Sequence, residues 1–427
     1  MAPSALERKF QSLLEKRHRN STLRSLTTAR NHVDFSSNDF LSLTTNPALK
    51  TALLEEIQAS ERPLGSGGSR LLDGNSTYAE DLEREICEFH NAEAGLLFNS
   101  GFDANAGFFA CVPQKGDVVV YDELIHASVH DGMRLSRAEK TVPFRHNCVE
   151  DLRRVLSAFK SESPLIRDLE AENRHVFVAV EAVYSMDGDV APLQAIVDTV
   201  DEVLGPEAGY VVIDEAHATG VLGKEGRGLV CELGLERRVF ARLHTFGKAL
   251  GCNGAIILGS NLLRHYLINY ARPLIYTTFM SYTSLAAIRA SYAFLSQGKT
   301  VPLASNLQSL IYTLFTRLKT VDSAAFTFLL SIPQVRPESP IFSIQLAEPK
   351  RLAKYLQDRG MMVRAVVPPT VPEGTSRVRV CLHAGNTEAE INGLVAVIEE
   401  WCNKALDEQD AQNVKVRKQD NNVMARL

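Results

Sequence analysis

The stretch GYVVIDEAHATG, residues 209–220, runs from glycine through four apolar residues to an acid, Asp214, and then sets His217 three positions beyond it. A continuous apolar run that stops on a polar tip is the pattern of a strand buried on both faces of a parallel sheet, with its carboxyl end left for chemistry. The runs AGLLF (94–98), DVVVY (117–121), HVFVAVEAV (175–183), RLHTF (242–246) and GAIILG (254–259) repeat it, and most are separated by helical periodicity such as CVEDLRRVLSAF (148–159) and LQAIVDTVDEVL (193–204). Strands alternating with helices predict an α/β architecture: a large, mainly parallel sheet covered on both faces.

About one helical unit after Asp214, HTFGKAL (244–250) presents Thr245 and Lys248 in a glycine-flanked turn. Taken singly, a lysine beside glycine is a solvated loop charge and an acid ending a strand is a cap. Together they suggest pyridoxal 5'-phosphate chemistry. A lysine can hold the cofactor aldehyde as a Schiff base, while a buried aspartate keeps the ring nitrogen protonated so that the ring accepts a carbanion's electrons.

With 427 residues, 45% apolar and 23% charged, the chain can bury a large core plus a second, smaller domain. A formal charge of −5 gives no electrostatic footprint for nucleic acid or an anionic membrane, so a small-molecule partner is expected. The leading MAPSALERKFQSLLEKRHRN contains glutamates and lacks an apolar signal core, so it reads as a helix rather than a targeting peptide, and no run is long enough to span a membrane. A soluble chain follows. Seven scattered cysteines, without a Cys-x-x-Cys pair or a matching histidine spacing, argue against a metal site or a disulfide framework.

Asn46-Pro47 opens a helix, and Thr77 with Glu80 has capping-box spacing for the next one. Beyond a long helix around SYTSLAAIRASYAFLS, the strands FSIQL and RVRVCLH and two further helices read as a smaller α+β domain. The expected segmentation is an N-terminal segment at 1–45, a large cofactor-binding domain at 46–290, a C-terminal α+β domain at 291–408 and a polar, mobile tail at 409–427.

Motifs in a fixed order carry a specific resemblance: SSNDFLSL (36–43), GSGGSRLLDGN (65–75), NSGFDANAG (99–107), DELIHAS (122–128), VYSMDGDVAPL (183–193), DEAHATGVLG (214–223), TFGKALG (245–251) and PPTVPEGTSRVRV (368–380). Over about residues 34–400 the chain resembles the α-oxoamine synthase family. That resemblance implies an aspartate-aminotransferase-like, fold type I pyridoxal-phosphate enzyme with a large mainly parallel-sheet domain and a smaller C-terminal α+β domain. It also implies a homodimer with shared active sites, and an acyltransferase that condenses a small amino acid with an acyl-CoA and releases carbon dioxide.

Carried over by motif, Lys248 resembles the Schiff-base lysine and acid–base, Asp214 the partner of the pyridinium nitrogen, His217 the histidine near the phenolic oxygen and His126 the one stacked on the ring. Ser185 resembles the hydroxyl near the ring substituents. Ser100, Gly101 and Phe102 resemble the phosphate loop, with Thr245 reaching the same phosphate. Thr277 and Thr278 match a segment that reaches the neighbouring subunit's phosphate, although Ser281 and Tyr282 replace the prolines that usually follow. In RVRV a period of two puts Arg377 and Arg379 on one face; by motif position Arg379 resembles the grip on the amino-acid carboxylate, and Asn38 a substrate-contacting amide.

Ser69 and Leu71 depart from the aminolevulinate-forming pattern. PPTVPEGTSRVRV is most similar to the 8-amino-7-oxononanoate synthase branch, which implies L-alanine plus pimeloyl-CoA giving 8-amino-7-oxononanoate, CoA and carbon dioxide in biotin synthesis. Val367, where that branch often has arginine, keeps open a fatty-acyl or polyketide-linked synthase, with Arg364 three residues earlier as a compensating charge. An aminotransferase or a non-catalytic partner subunit are the readings from other classes. The terminal Ala425-Arg426-Leu427 resembles the Ser-Lys-Leu peroxisomal address, against a cytoplasmic alternative.

Overall fold

The computed structural model describes residues 3–20, 22–26, 28, 31–61, 64–161 and 174–424. It divides into a unit of Met1–His32 and a unit of Val33–Leu427. In the first, Ala5–Arg19 is a helix whose Ser4 hydroxyl accepts from the Glu7 amide while the Glu7 carboxylate accepts from the Ser4 amide, a reciprocal cap.

In the second unit a short strand, β1 (Val33–Asp34), precedes seven strands: β2 (Ala94–Phe98), β3 (Val118–Asp122), β4 (Lys140–Phe144), β5 (Val176–Glu181), β6 (Gly209–Asp214), β7 (Ala241–Thr245) and β8 (Ala255–Gly259). They form one sheet in the order β2-β8-β7-β6-β5-β3-β4. Only β8 runs antiparallel to its neighbours, so the carboxyl ends of all the others share an edge.

Side chains alternate between two cores. Val178, Val180, Val211 and Ile213 pack with the helices Val149–Ser161 and Leu193–Leu204, whereas Phe177, Ala179 and Val212 pack with Gly101–Cys111 and Ala127–Leu135. By that alternation Glu181 and Asp214 end their strands on the face covered by the helix Gly101–Cys111.

The remaining strands are β9 (Ile341–Gln345), β10 (Met361–Met362), β11 (Arg364–Val366) and β12 (Arg377–Cys381); β10 pairs with β1, and an antiparallel trio runs β11-β12-β9. Val378 and Val380 turn one face of β12 into the core, which leaves Arg377 and Arg379 on the other.

Three local expectations change. The helix after the glycine cluster is capped by Ser76, which accepts from the Ala79 amide, while Thr77 is its first residue and Glu80 instead accepts from Asn75 Nδ2 at 2.7 Å. Residue 290 falls inside the unbroken helix Tyr282–Ser296. The last helix runs Glu388–Met424, so its backbone stays helical through most of the polar stretch after 409, where beyond Gly393 neither glycine nor proline interrupts it. Ala425-Arg426-Leu427 lies outside the described residues.

Among the described residues all seven cysteines are free, no group of His, Cys, Asp or Glu is arranged to hold a metal, and no helix is long and apolar enough to cross a membrane.

Candidate active site

Along the shared edge of the sheet the chain leaves β2 for Ser100, β3 for His126, β5 for Ser185, β6 for His217 and β7 for Lys248. Ser100 caps the helix Gly101–Cys111: its Oγ accepts from the Asp103 amide at 3.1 Å and donates to Asp103 Oδ2 at 2.7 Å. The first amides of that helix remain available to an anion. A side chain at Gly101 would meet Thr245 Cβ and Oγ1 at 3.4 Å, so glycine keeps the helix start and the β7 end in close approach. Thr245 Oγ1 donates to the Gly254 carbonyl at 3.1 Å, and Phe102 is exposed.

Asp214 is 8% exposed and fixed from two sides: Asn105 Nδ2 donates to Oδ2 at 2.7 Å, and the Ala216 amide donates to Oδ1 at 2.9 Å. The same Asn105 amide donates to Ser128 Oγ at 3.0 Å, and Ser128 Oγ lies 2.7 Å from His126 Nδ1. Asn105 is one helical turn after Gly101 and Ser128 two residues after His126, which puts both inside the motifs that carry the sequence reading. Neither was singled out there. An asparagine on the buried side of an apolar helix was the available signal.

Lys248 follows β7 in a turn closed by the Gly251 amide donating to its carbonyl at 2.9 Å. Burial pushes its amine below the ordinary lysine range, opposed by the charges of Asp214 and Glu181 and assisted by Arg379. His217 is packed with its ring 5.9 Å from that of Phe40, and its Nδ1 is buried without a hydrogen-bond partner among the described residues. Burial first, then the charges of Lys248 and Arg379, hold it well below the usual histidine range, so it is neutral. Glu181 is the other acid that the sequence reading passed over: 3% exposed, it is pushed well above the carboxylate range by burial and by Asp214.

The next residue after Asp214 serves the scaffold. Glu215 accepts from the amides of Leu229 and Val230 at 2.9 and 2.8 Å, and Gly228, at φ 91°, leaves room for that carboxyl, since a Cβ there would come 2.6 Å from Oε2.

From the small sheet, Arg379 Nε donates to the Ser185 carbonyl at 2.6 Å and Nη2 to Asn38 Oδ1 at 2.9 Å. Ser185 thus enters by its backbone, and Asn38 orients the guanidinium. Arg377, on the same face, pairs with Asp187 and donates to the Thr375 carbonyl, which marks it as structural. Thr278 is exposed and reaches the region by its carbonyl, which accepts from Asn99 Nδ2 at 2.8 Å; Thr277 beside it is half-buried.

These residues fit pyridoxal 5'-phosphate. An amine with a lowered pKa stands near an anchored carboxylate, a helix start offers its first amides to an anion with Thr245 beside it, and the unpartnered His217 Nδ1 is a buried group that a bound ligand oxygen can satisfy.

A family model described as aminotransferase class I and II matches residues 30–398. The chain is 50% identical over 417 residues to 8-amino-7-oxononanoate synthase of Emericella nidulans, covering 96% of this chain and 99% of that one. It is 40% identical over 400 residues to aminoacyl transferase sphA of Aspergillus fumigatus, covering 90% and 84%. Among solved structures, serine palmitoyltransferase from S. paucimobilis with a bound PLP–myriocin aldimine superposes with a TM-score of 0.80 at 24% identity, covering 95% of this chain and 100% of that chain, a likeness of fold.

Proposed function

The chain belongs to the aminotransferase class I and II family and, within it, to the α-oxoamine synthases, and from that premise we propose that it binds pyridoxal 5'-phosphate at Lys248 and joins L-alanine to pimeloyl-CoA. The products are 8-amino-7-oxononanoate, CoA and carbon dioxide. When bound, the cofactor supplies an electron sink for the carbanion formed at the amino acid's α-carbon.

The protein's own groups divide the remaining work. Asp214, held by Asn105 and the Ala216 amide, offers a fixed negative charge to the ring nitrogen and keeps a proton there. Lys248 Nζ, which burial makes a weaker holder of its proton than an ordinary lysine, is the group placed to take the α-proton. Neutral His217 offers its unpartnered Nδ1 to the phenolic oxygen, His126 covers the ring, and Ser100, Gly101, Phe102 and Thr245 receive the phosphate. Arg379 grips the substrate carboxylate, oriented by Asn38 and the Ser185 carbonyl. Thr277 and Thr278 serve the phosphate of a second copy in a homodimer.

The observation that carries the choice of substrates is the 50% identity, over nearly the whole of both chains, to the Emericella enzyme. A second reading, condensation with a fatty-acyl or polyketide thioester, is favoured by Val367 and by the 40% identity to the sphA transferase. Release of CoA from glycine, alanine and serine, each tested with pimeloyl-CoA and with long uncharged acyl-CoAs, separates the two. Pimeloyl-CoA with alanine as the best pair supports the first reading, and long uncharged chains as the best overturn it. Peroxisomal residence rests on Ala425-Arg426-Leu427, and removing those residues should redistribute the protein to the cytosol. An unchanged distribution would remove the assignment.

A further inference from the structure

His126 Nδ1 receives the backbone amide of Ser128 at 3.2 Å. An amide N–H cannot donate to a nitrogen that already carries hydrogen, so this nitrogen presents its lone pair. Ser128 Oγ, 2.7 Å from the same atom, must then donate to it. The same hydroxyl oxygen accepts from Asn105 Nδ2 at 3.0 Å, which holds the side chain in place beneath the ring edge.

The direction at the ring is set by the Ser128 amide, and the far end of the chain is anchored on Asp214. Asn105 faces the Asp214 carboxylate at 2.7 Å, and only the NH2 side of its amide can meet that carboxylate without repulsion. Asn105 is 5% exposed and Ser128 fully buried, so water does not compete for these bonds. His126 itself is exposed, and its Nε2 lies on the ring edge away from Ser128.

We infer that Asn105 and Ser128 are positioning residues that lock His126 as the neutral tautomer with hydrogen on Nε2, so that the ring serves the reaction as a hydrogen-bond donor to a substrate oxygen and not as a base. Asp214 thereby anchors both ends of the site, the ring-nitrogen side directly and the Ser128 side chain on the ring-covering side through Asn105. Which substrate oxygen His126 meets rests on the condensation reading above; the tautomer does not. Protonating Nδ1 would set that hydrogen against the Ser128 amide, so the lock also resists conversion to imidazolium. The charged groups facing the ring are Asp214 and Lys248, its neighbouring imidazoles are His130 and His217, and Glu181 takes its backbone amide.

The test is nitrogen NMR of the full-length holoenzyme labelled in histidine, with the His126 signals assigned by their loss in His126→Phe or, should that variant not fold, His126→Asn. The expected result at neutral pH is hydrogen on Nε2 and none on Nδ1, with part of it moving to Nδ1 in Ser128→Ala, where the short bond to the hydroxyl is gone and only the longer one from the backbone amide is left. Hydrogen on Nδ1 in the unsubstituted enzyme overturns the inference. In kinetics, Ser128→Ala should lower kcat about 3- to 10-fold, as for the loss of one hydrogen bond, and move the acid-side limb of the pH profile to higher pH as imidazolium becomes easier to form. Ser128→Thr, which retains the hydroxyl, should restore the original profile. A profile unchanged by Ser128→Ala counts against the lock. Absence of CoA release with every substrate pair would sink the condensation reading and leave the NMR result standing.

Discussion

Glu181 at the end of β5 stands directly across from Asp214 at the end of β6 in the parallel register. Both carboxyls therefore leave the sheet on one face, close enough that ionising both is unfavourable. Asp214 has two donors and takes the negative charge. Glu181, raised first by burial and second by that charge, holds its proton well above the ordinary carboxylate range. Glu181→Gln, which is neutral and of the same shape, should keep kcat within about threefold, whereas Asp214→Asn should lower it about 100-fold, equivalent to ~3 kcal/mol, and weaken cofactor retention on dialysis. Equal damage from the two substitutions would show that the charges are assigned wrongly.

Arg377 and Arg379 share a face of β12 but not a task. Arg379→Ala should raise the KM for the amino acid roughly 10- to 150-fold, the worth of a lost charge-assisted bond of ~1.5–3 kcal/mol, while leaving that for acyl-CoA nearly unchanged. Arg377→Ala strands Asp187 beside a buried strand and should cost ~3 kcal/mol of stability in urea unfolding with little change in amino-acid KM. If Arg377→Ala impairs amino-acid binding as much, the division between them is wrong.

Glu215 makes stability depend on pH in a chosen window. Burial raises its carboxyl from 4.5 to about 7, against the lowering effect of the Val230 and Leu229 amides and of Arg242. The folded state then holds its proton longer than the unfolded state does. The contribution is fully present below about 4.5 and is lost as pH rises through about 7, some ~3 kcal/mol in all. In urea unfolding at pH 5 and pH 8, Glu215→Gln should narrow the difference in stability between the two pH values. An equal difference in both proteins contradicts the assignment.

Much of this site was legible because its residues sit at strand ends inside contiguous motifs. β3, β5, β6, β7 and β8 announce themselves as apolar runs, and Asp214, His217 and Lys248 follow them at fixed distances. The edge strand β4 escaped: KTVPF carries Pro143 and is mostly exposed, features that edge strands tolerate and that a search for buried runs passes over. The cap moved from Thr77 to Ser76 because both hydroxyls have suitable spacing and only the backbone decides. Asn105, Ser128 and Glu181 were invisible for another reason. Their roles arise from contacts across elements, such as a helix residue reaching a strand end 109 positions away, and no local spacing encodes those.

Recognition of a charged acyl chain can be tested near β11. Arg364 pairs in register with Arg379, so both leave the small sheet on one face, and Val367 follows the strand just before Pro368. A pimeloyl chain ends in a carboxylate, and with valine at 367 the cation that meets it has to come from elsewhere; Arg364 is the residue that the register offers. Arg364→Ala should then lower kcat/KM for pimeloyl-CoA about 10-fold or more, as for a lost charge-assisted bond, and leave uncharged heptanoyl-CoA, a chain of equal length, unaffected. Val367→Arg should raise the preference for pimeloyl-CoA and compensate for Arg364→Ala. If neither substitution shifts the ratio of the two thioesters, and long uncharged chains turn over faster in the unsubstituted enzyme, the terminal carboxylate plays no part in recognition. The enzyme then belongs with the fatty-acyl or polyketide-linked condensations, its chemistry at Lys248 unchanged.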